Sequence, residues 1–432
     1  MHIIGLFIFF IFFIFSLKVT KSNVLLKMSF WLFVAYGFLL ITHFFSGIVY
    51  HFGNIYSILP YFSICLFLLL IGHLIGRTIK FKSINKHLNV SLNKVGFFSV
   101  FGSFIYIYDL LRLNSINFGT RIEDLTISSL GVLGNSISGL SLLVWLYSLY
   151  YYRIEKIKIP AIAYFSVIAY VAGGVISAGR QSIFILLISS IILLLWSSKK
   201  NKETKKKSPF NIVKNNSKPW GFYLLITFFI SYFIFISEVR SGISNIFDKV
   251  AVYENGFNAT TSKETLNLAD ALGPFSDIYL ESTYYYSHEL IRLDLLYQYY
   301  DYTPLFGLFQ MSYFERRLHW LIGNNGAISW DKQVFALEVK GRFSSHTWST
   351  FIGDFLVDFG RIGTLFACMF FGFLIGILYR RFKDNECPKT IVRQIIICTG
   401  IVFSIQFSPI AELIYFIPLL FSFFLVLKPE SL

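Results

Sequence analysis

Between Ser241 and Ser345 lie 12 of the 24 acidic residues of this chain, while the sequence on either side runs through Phe-, Ile- and Leu-rich blocks whose charges sit in short connectors. A bilayer core cannot hold so many charges. The polar stretch therefore reads as one large aqueous loop set on a polytopic, all-α membrane scaffold. With 55% hydrophobic and only 14% charged residues, the chain is far too apolar for a soluble domain of its length. The net charge of +14 belongs to lysines between the apolar blocks, not to one face of a soluble module, which excludes nucleic acid as the partner.

Apolar blocks of spanning length predict about eleven helices, near 3–17, 29–48, 56–76, 95–111, 129–151, 160–178, 181–197, 220–239, 360–379, 391–408 and 410–427. A turn at Ser177–Arg180 separates the sixth from the seventh. Residues 1–240 thus form eight spans, 241–345 the loop, and 346–432 three more spans. Connectors after odd-numbered spans hold 25 Lys and Arg, against 4 in the short connectors on the other side. By the positive-inside rule the amino terminus and the long loop face outward and the carboxyl terminus lies in the cytoplasm. The first apolar run has its lysines after it and no Ala-x-Ala-like site, so it reads as a retained span. Cys65, Cys368 and Cys398 fall in spans and Cys387 in a connector, which leaves the loop to order by packing instead of disulfides.

That loop is rich in aromatics. Ile278–Tyr302 interleaves tyrosines with Glu281, His288, Glu289, Arg292 and Asp294, the pattern of one or two helices lying at the interface. Phe314–Ile322 reads as a further amphipathic piece, and Lys199–Lys207 as a solvated linker.

The candidates for chemistry cluster on the outer face. Arg180, Arg240 and Arg361 each stand at an outer span end, where planar guanidinium groups suit phosphate oxygens; the plainer reading is snorkelling to lipid headgroups. His346 follows the loop where the chain returns to the membrane, and an imidazole is suited to removing a proton near neutral pH. Asp354, Asp358 and Arg361 share one face if a helix runs through them, able to bind a metal, act as a base, or neutralise one another. Arg292 and Glu238 complete the secondary candidates. No Asp-x-Asp occurs and Ser46–Ile55 has no acidic residue, which argues against metal-dependent glycosyl transfer from a monosaccharide-lipid donor. Gly372-Phe-Leu-Ile-Gly376 fits a helix-packing motif.

Taken together, Gly179-Arg-Gln-Ser182 opening a span, Val239-Arg-Ser-Gly242 closing one, the long outer loop, His346-Thr-Trp and Gly353-Asp-Phe-Leu-Val-Asp-Phe-Gly-Arg-Ile-Gly363 resemble the Wzy-type oligosaccharide repeat-unit polymerases of O-antigen and capsule synthesis. The likeness covers nearly the whole chain in layout and only these patches in residues. It implies a metal-independent, inverting glycosyltransferase of the bacterial inner membrane that extends polyprenyl-diphosphate-linked oligosaccharides and needs no cofactor. Arg180, Arg240 and Arg361 would hold the diphosphate and His346 would take the acceptor's proton. A chain-length regulator and a flippase in the same membrane are the implied partners. His346 precedes Gly360-Arg-Ile-Gly363 by a longer gap than in the related O-antigen ligases, which favours polymerase over ligase. A lipid-oligosaccharide flippase is the other alternative, although no pseudo-symmetric halves are visible.

Overall fold

The computed structural model describes residues 24–79, 88–114, 128–176, 181–207, 231, 246–299, 350–406 and 413–429. In chain order its elements are α1 (Met28–Phe45), β1 (Ile48–Tyr50), α2 (Ile55–Thr78), β2 (Leu88–Ser91), α3 (Leu92–Leu113), α4 (Ser129–Ser138), α5 (Leu140–Tyr150), α6 (Ala161–Ile176), α7 (Gln181–Lys207), α8 (Ile246–Phe257), β3 (Ala259–Thr261), α9 (Lys263–Ala271), α10 (Ser276–Tyr299), α11 (Phe351–Asp384), α12 (Pro388–Phe403), α13 (Leu413–Phe424) and β4 (Leu425–Lys428).

Among the described residues six stretches are helical, long and apolar enough to cross a bilayer: 28–45, 55–78, 92–113, 129–155, 181–198 and 351–384. The spans expected near 160–178, 391–408 and 410–427 appear as the shorter helices α6, α12 and α13. Those expected at 3–17 and, but for residue 231, at 220–239 lie outside the described residues, as does the turn at Ser177–Arg180. Lys199–Lys207, expected as a linker, continues α7 as helix.

The inside-out distribution of side chains marks these helices as membrane helices. On α3, Phe97, Phe98, Phe101 and Phe104 point outward while Ser99 and Ser103 are buried. The Ser99 and Ser166 hydroxyls lie 2.8 Å apart between α3 and α6. Small and hydroxylated residues inside with aromatics outside is the arrangement expected where lipid, not water, is the solvent.

The chain divides into two compact units. One comprises 84–242, 386–399 and 413–432. Within it β2 and β4 pair in parallel, and the hydroxyls of Tyr147 and Tyr151 donate to the Leu425 and Leu427 carbonyls. Asp109 is buried and accepts from the Ser128 amide at 2.8 Å and from its hydroxyl, which fixes the start of α4.

The other unit comprises 1–83, 243–385 and 400–412, and holds α1, α2 and α11 together with the polar elements α8 to α10. Its backbone is the parallel contact of α2 with α11. The Gly372–Gly376 motif does pack helices, and its partner is a second such motif, Gly72–Gly76 on α2: a Cβ at Gly372 would stand 2.0 Å from the Leu69 carbonyl oxygen, and one at Gly72 1.9 Å from that of Met369. β1, from the connector between α1 and α2, pairs antiparallel with β3. Over this pair Ile48, Val250, Ala259, Ala269, Leu280 and Tyr284 make a small core, so part of the polar stretch packs on the connector between α1 and α2.

Two expectations are corrected in this unit. The span predicted at 360–379 begins earlier, because Thr350 Oγ1 accepts from the Gly353 amide and starts α11 before the break. Gly360, at φ 68° and ψ −177°, interrupts α11, so Asp354 and Asp358 do not continue on one helical face to Arg361. The two carboxylates are buried and Arg361 is exposed. Second, α10 forms where an interfacial helix was expected, but Leu290–Leu296 is buried on every side against α1, α2 and α11.

Candidate functional site

Three anchors fix α10. At its start Lys249 Nζ lies 2.6 Å from Asp277 Oδ1 in a largely buried ion pair, with the carboxylate in the first turn where the helix dipole favours it. Near its end Asp294, fully buried, accepts from the Asn54 amide at 2.7 Å, from the Ser57 hydroxyl and from Gln298 Nε2 at 2.8 Å. Asn54 and Ser57 stand at the N-terminus of α2, so Asp294 doubles as the N-terminal cap of a span, while Gln298 holds the carboxylate from one turn further along α10. In the last turn Arg361 donates from Nε at 3.0 Å, and from Nη2, to the Tyr297 carbonyl, with its guanidinium 4.5 Å from the Tyr297 ring centre. The Tyr61 hydroxyl donates to the Arg361 carbonyl at 2.7 Å. A cation there caps α10 and stacks on an aromatic face.

Between these anchors α10 buries three ionisable residues, His288, Glu289 and Arg292, beside the hydroxyls of Thr283 and Ser287. Glu289 Oε2 has no hydrogen-bond partner. Arg292 on α10 and Asp354 on α11 are its charged neighbours, and the Tyr36 phenol of α1 is close to both carboxyls. Burial pushes the Glu289 carboxyl well above the usual carboxylate range; Arg292 opposes this and Asp354 adds to it. His288 faces another way, its ring 5.3 Å from that of Tyr50 and 5.0 Å from that of Phe257, and its Nδ1 has no hydrogen-bond partner. Burial, then Arg292 and His43, push its imidazole down to about 3. His43 Nδ1 donates to the Ser287 carbonyl at 2.6 Å.

Of the residues singled out in the sequence, Arg292 and Asp354 meet in this cluster. Asp358 is buried one turn beyond Asp354, and Arg361 stands past the Gly360 break on Tyr297. Arg180, Arg240, Glu238 and His346 lie outside the described residues. Glu289 and His288 were read as interface residues, yet the signal for burial was there: Leu290, Ile291, Leu293, Leu295 and Leu296 surround the helix, leaving no polar face on which charges reach water.

A carboxyl whose proton is held more tightly than usual, with an arginine and a second carboxyl as neighbours, is equipped to exchange a proton with a bound polar group, at a cost in stability. The folded state holds the Glu289 proton more tightly than the unfolded chain, where glutamate titrates near ~4.3. Its contribution to stability is therefore full below that pH and is lost as pH rises toward the folded value. Glu289→Gln keeps the shape and removes the titration, so the excess of its melting temperature over that of wild type should grow as pH rises above the ordinary glutamate range. A margin that is flat or shrinks with pH would show that Glu289 is ionised in the fold. His288 acts with the opposite sign: wild-type stability should fall as pH drops below ~6.5, where the unfolded imidazole gains its proton.

No family model, curated protein or solved structure matches this chain. The candidate site stands on its own residues, in a mostly helical protein with several helices apolar enough to lie in a membrane.

Proposed function

We propose that the chain is an eleven-span glycosyltransferase of the bacterial inner membrane, amino terminus outside and carboxyl terminus in the cytoplasm, that joins polyprenyl-diphosphate-linked oligosaccharide repeat units on the outer face. The observation that carries this reading is the buried set of Glu289, Arg292 and Asp354. It brings a helix of the polar stretch against Gly353–Gly363, one of the patches that resemble the polymerases. Ionisable groups buried among apolar helices are costly and are kept where they serve a function.

In this mechanism the donor arrives activated as a diphosphate ester, so no nucleotude sugar is required outside the cell. Arg180 and Arg240 hold the diphosphate and stabilise the charge that develops as the sugar C1 leaves it. His346 takes the proton of the acceptor hydroxyl, whose oxygen forms the new bond at C1 with inversion. Arg361 shares the diphosphate role from the rim of its span, and Arg292, Asp354, Asp358 and Glu238 support the site. A chain-length regulator and a flippase are the partners this reaction calls for in the same membrane.

The arginines give the test. Lysine keeps the charge but loses the planar fork. Arg180→Ala and Arg240→Ala should each lower the polymerisation rate about 10- to 100-fold, the loss of one or two charge-assisted bonds, with Arg→Lys in between and protein level unchanged. Full activity in both alanine variants would remove these residues from the site.

A further inference from the structure

At the end of α2 and α11 away from α10, cationic groups gather. Arg77, Arg380, Arg381 and Lys383 stand there, with Asp384 as the last residue of α11. Arg380 Nε is engaged by Asp384 Oδ2 at 2.8 Å. Arg77 is placed differently. Its guanidinium carbon lies 5.1 Å from the centre of the Tyr379 ring, and the His73 ring, one turn earlier on the same face of α2, lies 5.7 Å from the same ring. Tyr379 and His73 are buried, 2% and 4% exposed. Arg77 Nη1 and His73 Nδ1 are buried too, and neither has a hydrogen-bond partner.

An arginine at a span end is ordinarily a snorkelling group, its guanidinium carried out to bulk headgroups by a flexible stem. Here stacking on Tyr379 fixes the group, and the close approach of the helices at Gly76 and Gly376 holds Nη1 within the wall instead of outside it. A fixed, unmatched guanidinium N–H on a positively charged rim fits a phosphate ester, whose oxygens accept from guanidinium with good geometry. The flank of α11 is open to lipid: Leu374, between one and two turns before Tyr379, is an exposed apolar residue along which an acyl chain can lie.

We propose that Arg77, with His73 and Tyr379, forms a binding site for the phosphate of one anionic phospholipid headgroup at the end of the α2–α11 pair. Basic pockets between membrane helices are the expected hosts for such headgroups. The site is independent of the glycan-joining reaction proposed above and lies at the other end of the helices that carry it.

The test is native mass spectrometry of the full chain after extraction from vesicles of phosphatidylcholine alone, of phosphatidylcholine mixed with phosphatidylglycerol, or of phosphatidylcholine with inorganic phosphate in the buffer. The expected result is one retained phosphatidylglycerol per chain and no comparable retention of phosphatidylcholine. Arg77→Ala should lower that retention about tenfold or more and Arg77→Lys less, with Arg380→Ala unchanged because that side chain is held by Asp384. Equal retention of the two lipids by wild type, which needs no variant to fold, would overturn the proposal. Undiminished phosphatidylglycerol in a monodisperse Arg77→Ala protein would do the same. Retention of inorganic phosphate without phosphatidylglycerol would overturn the lipid assignment in favour of a free anion.

Discussion

Gly372→Val should leave no correctly folded protein. The Cβ it adds would stand 2.0 Å from the Leu69 carbonyl oxygen, and the backbone on the other side is as near, with Cβ positions at Gly72, Gly76 and Gly376 meeting main-chain oxygens at 1.9, 2.1 and 2.3 Å. A flexible side chain can rotate away from such a clash; helix backbone cannot. The two helices must part, and with them the α10 anchors at Asn54, Ser57 and Arg361. Overpacking a core with a side chain to yield costs ~1–3 kcal/mol. A clash of backbone on backbone exceeds this, against a total stability of ~5–15 kcal/mol. The control is Gly37→Ala on α1, where an added Cβ meets nothing within 4 Å. It should be neutral or raise stability by a few tenths of a kcal/mol up to ~1. Detergent-extracted protein should elute as a single sharp peak for Gly37→Ala and as aggregate for Gly372→Val. A sharp peak with wild-type melting for Gly372→Val would mean that α2 and α11 are not in contact.

What could be read from the sequence follows the range over which each signal acts. Apolar runs of spanning length declare themselves within one segment, and α1, α2, α3 and α7 lie where those runs are. The Gly372–Gly376 motif was legible for the same reason, but its partner Gly72–Gly76 sits in a Leu- and Ile-rich block, and nothing local says which helix meets which. The β1–β3 ladder joins three-residue strands more than 200 residues apart, too short to carry an alternating pattern. Gly360 shows the opposite failure. The spacing of Asp354, Asp358 and Arg361 holds only if the helix continues, and one residue with positive φ separates the carboxylates from the arginine. Glu289 was visible as a charge and misplaced as an interface residue, because burial of α10 depends on three helices distant in sequence.

His346→Ala should lower the rate of glycan polymerisation by about 10²- to 10⁴-fold, the range in which a positioned general base contributes. In the sequence His346 comes at the end of the polar stretch, four positions before Thr350, the first described residue of the next segment. The proton moves only in the chemical step, so binding of the lipid-linked unit should survive the substitution nearly intact and the loss should fall on kcat. In wild type the rate should decline as pH falls below ~6.5, where an ordinary histidine gains its proton. Robust polymerisation by His346→Ala would pass the role to Glu238, Asp354, Asp358 or Glu289.

Joining of lipid-linked units is itself the central claim, and purified protein in vesicles supplied with a polyprenyl-diphosphate-linked single repeat unit tests it without a cell. The account predicts a ladder of products at whole-number multiples of the unit, still attached to the lipid diphosphate, formed by wild type and absent with His346→Ala. Units moved to a different acceptor without lengthening, or carried across the bilayer with no new glycosidic bond, would contradict it and identify a ligase or a flippase instead.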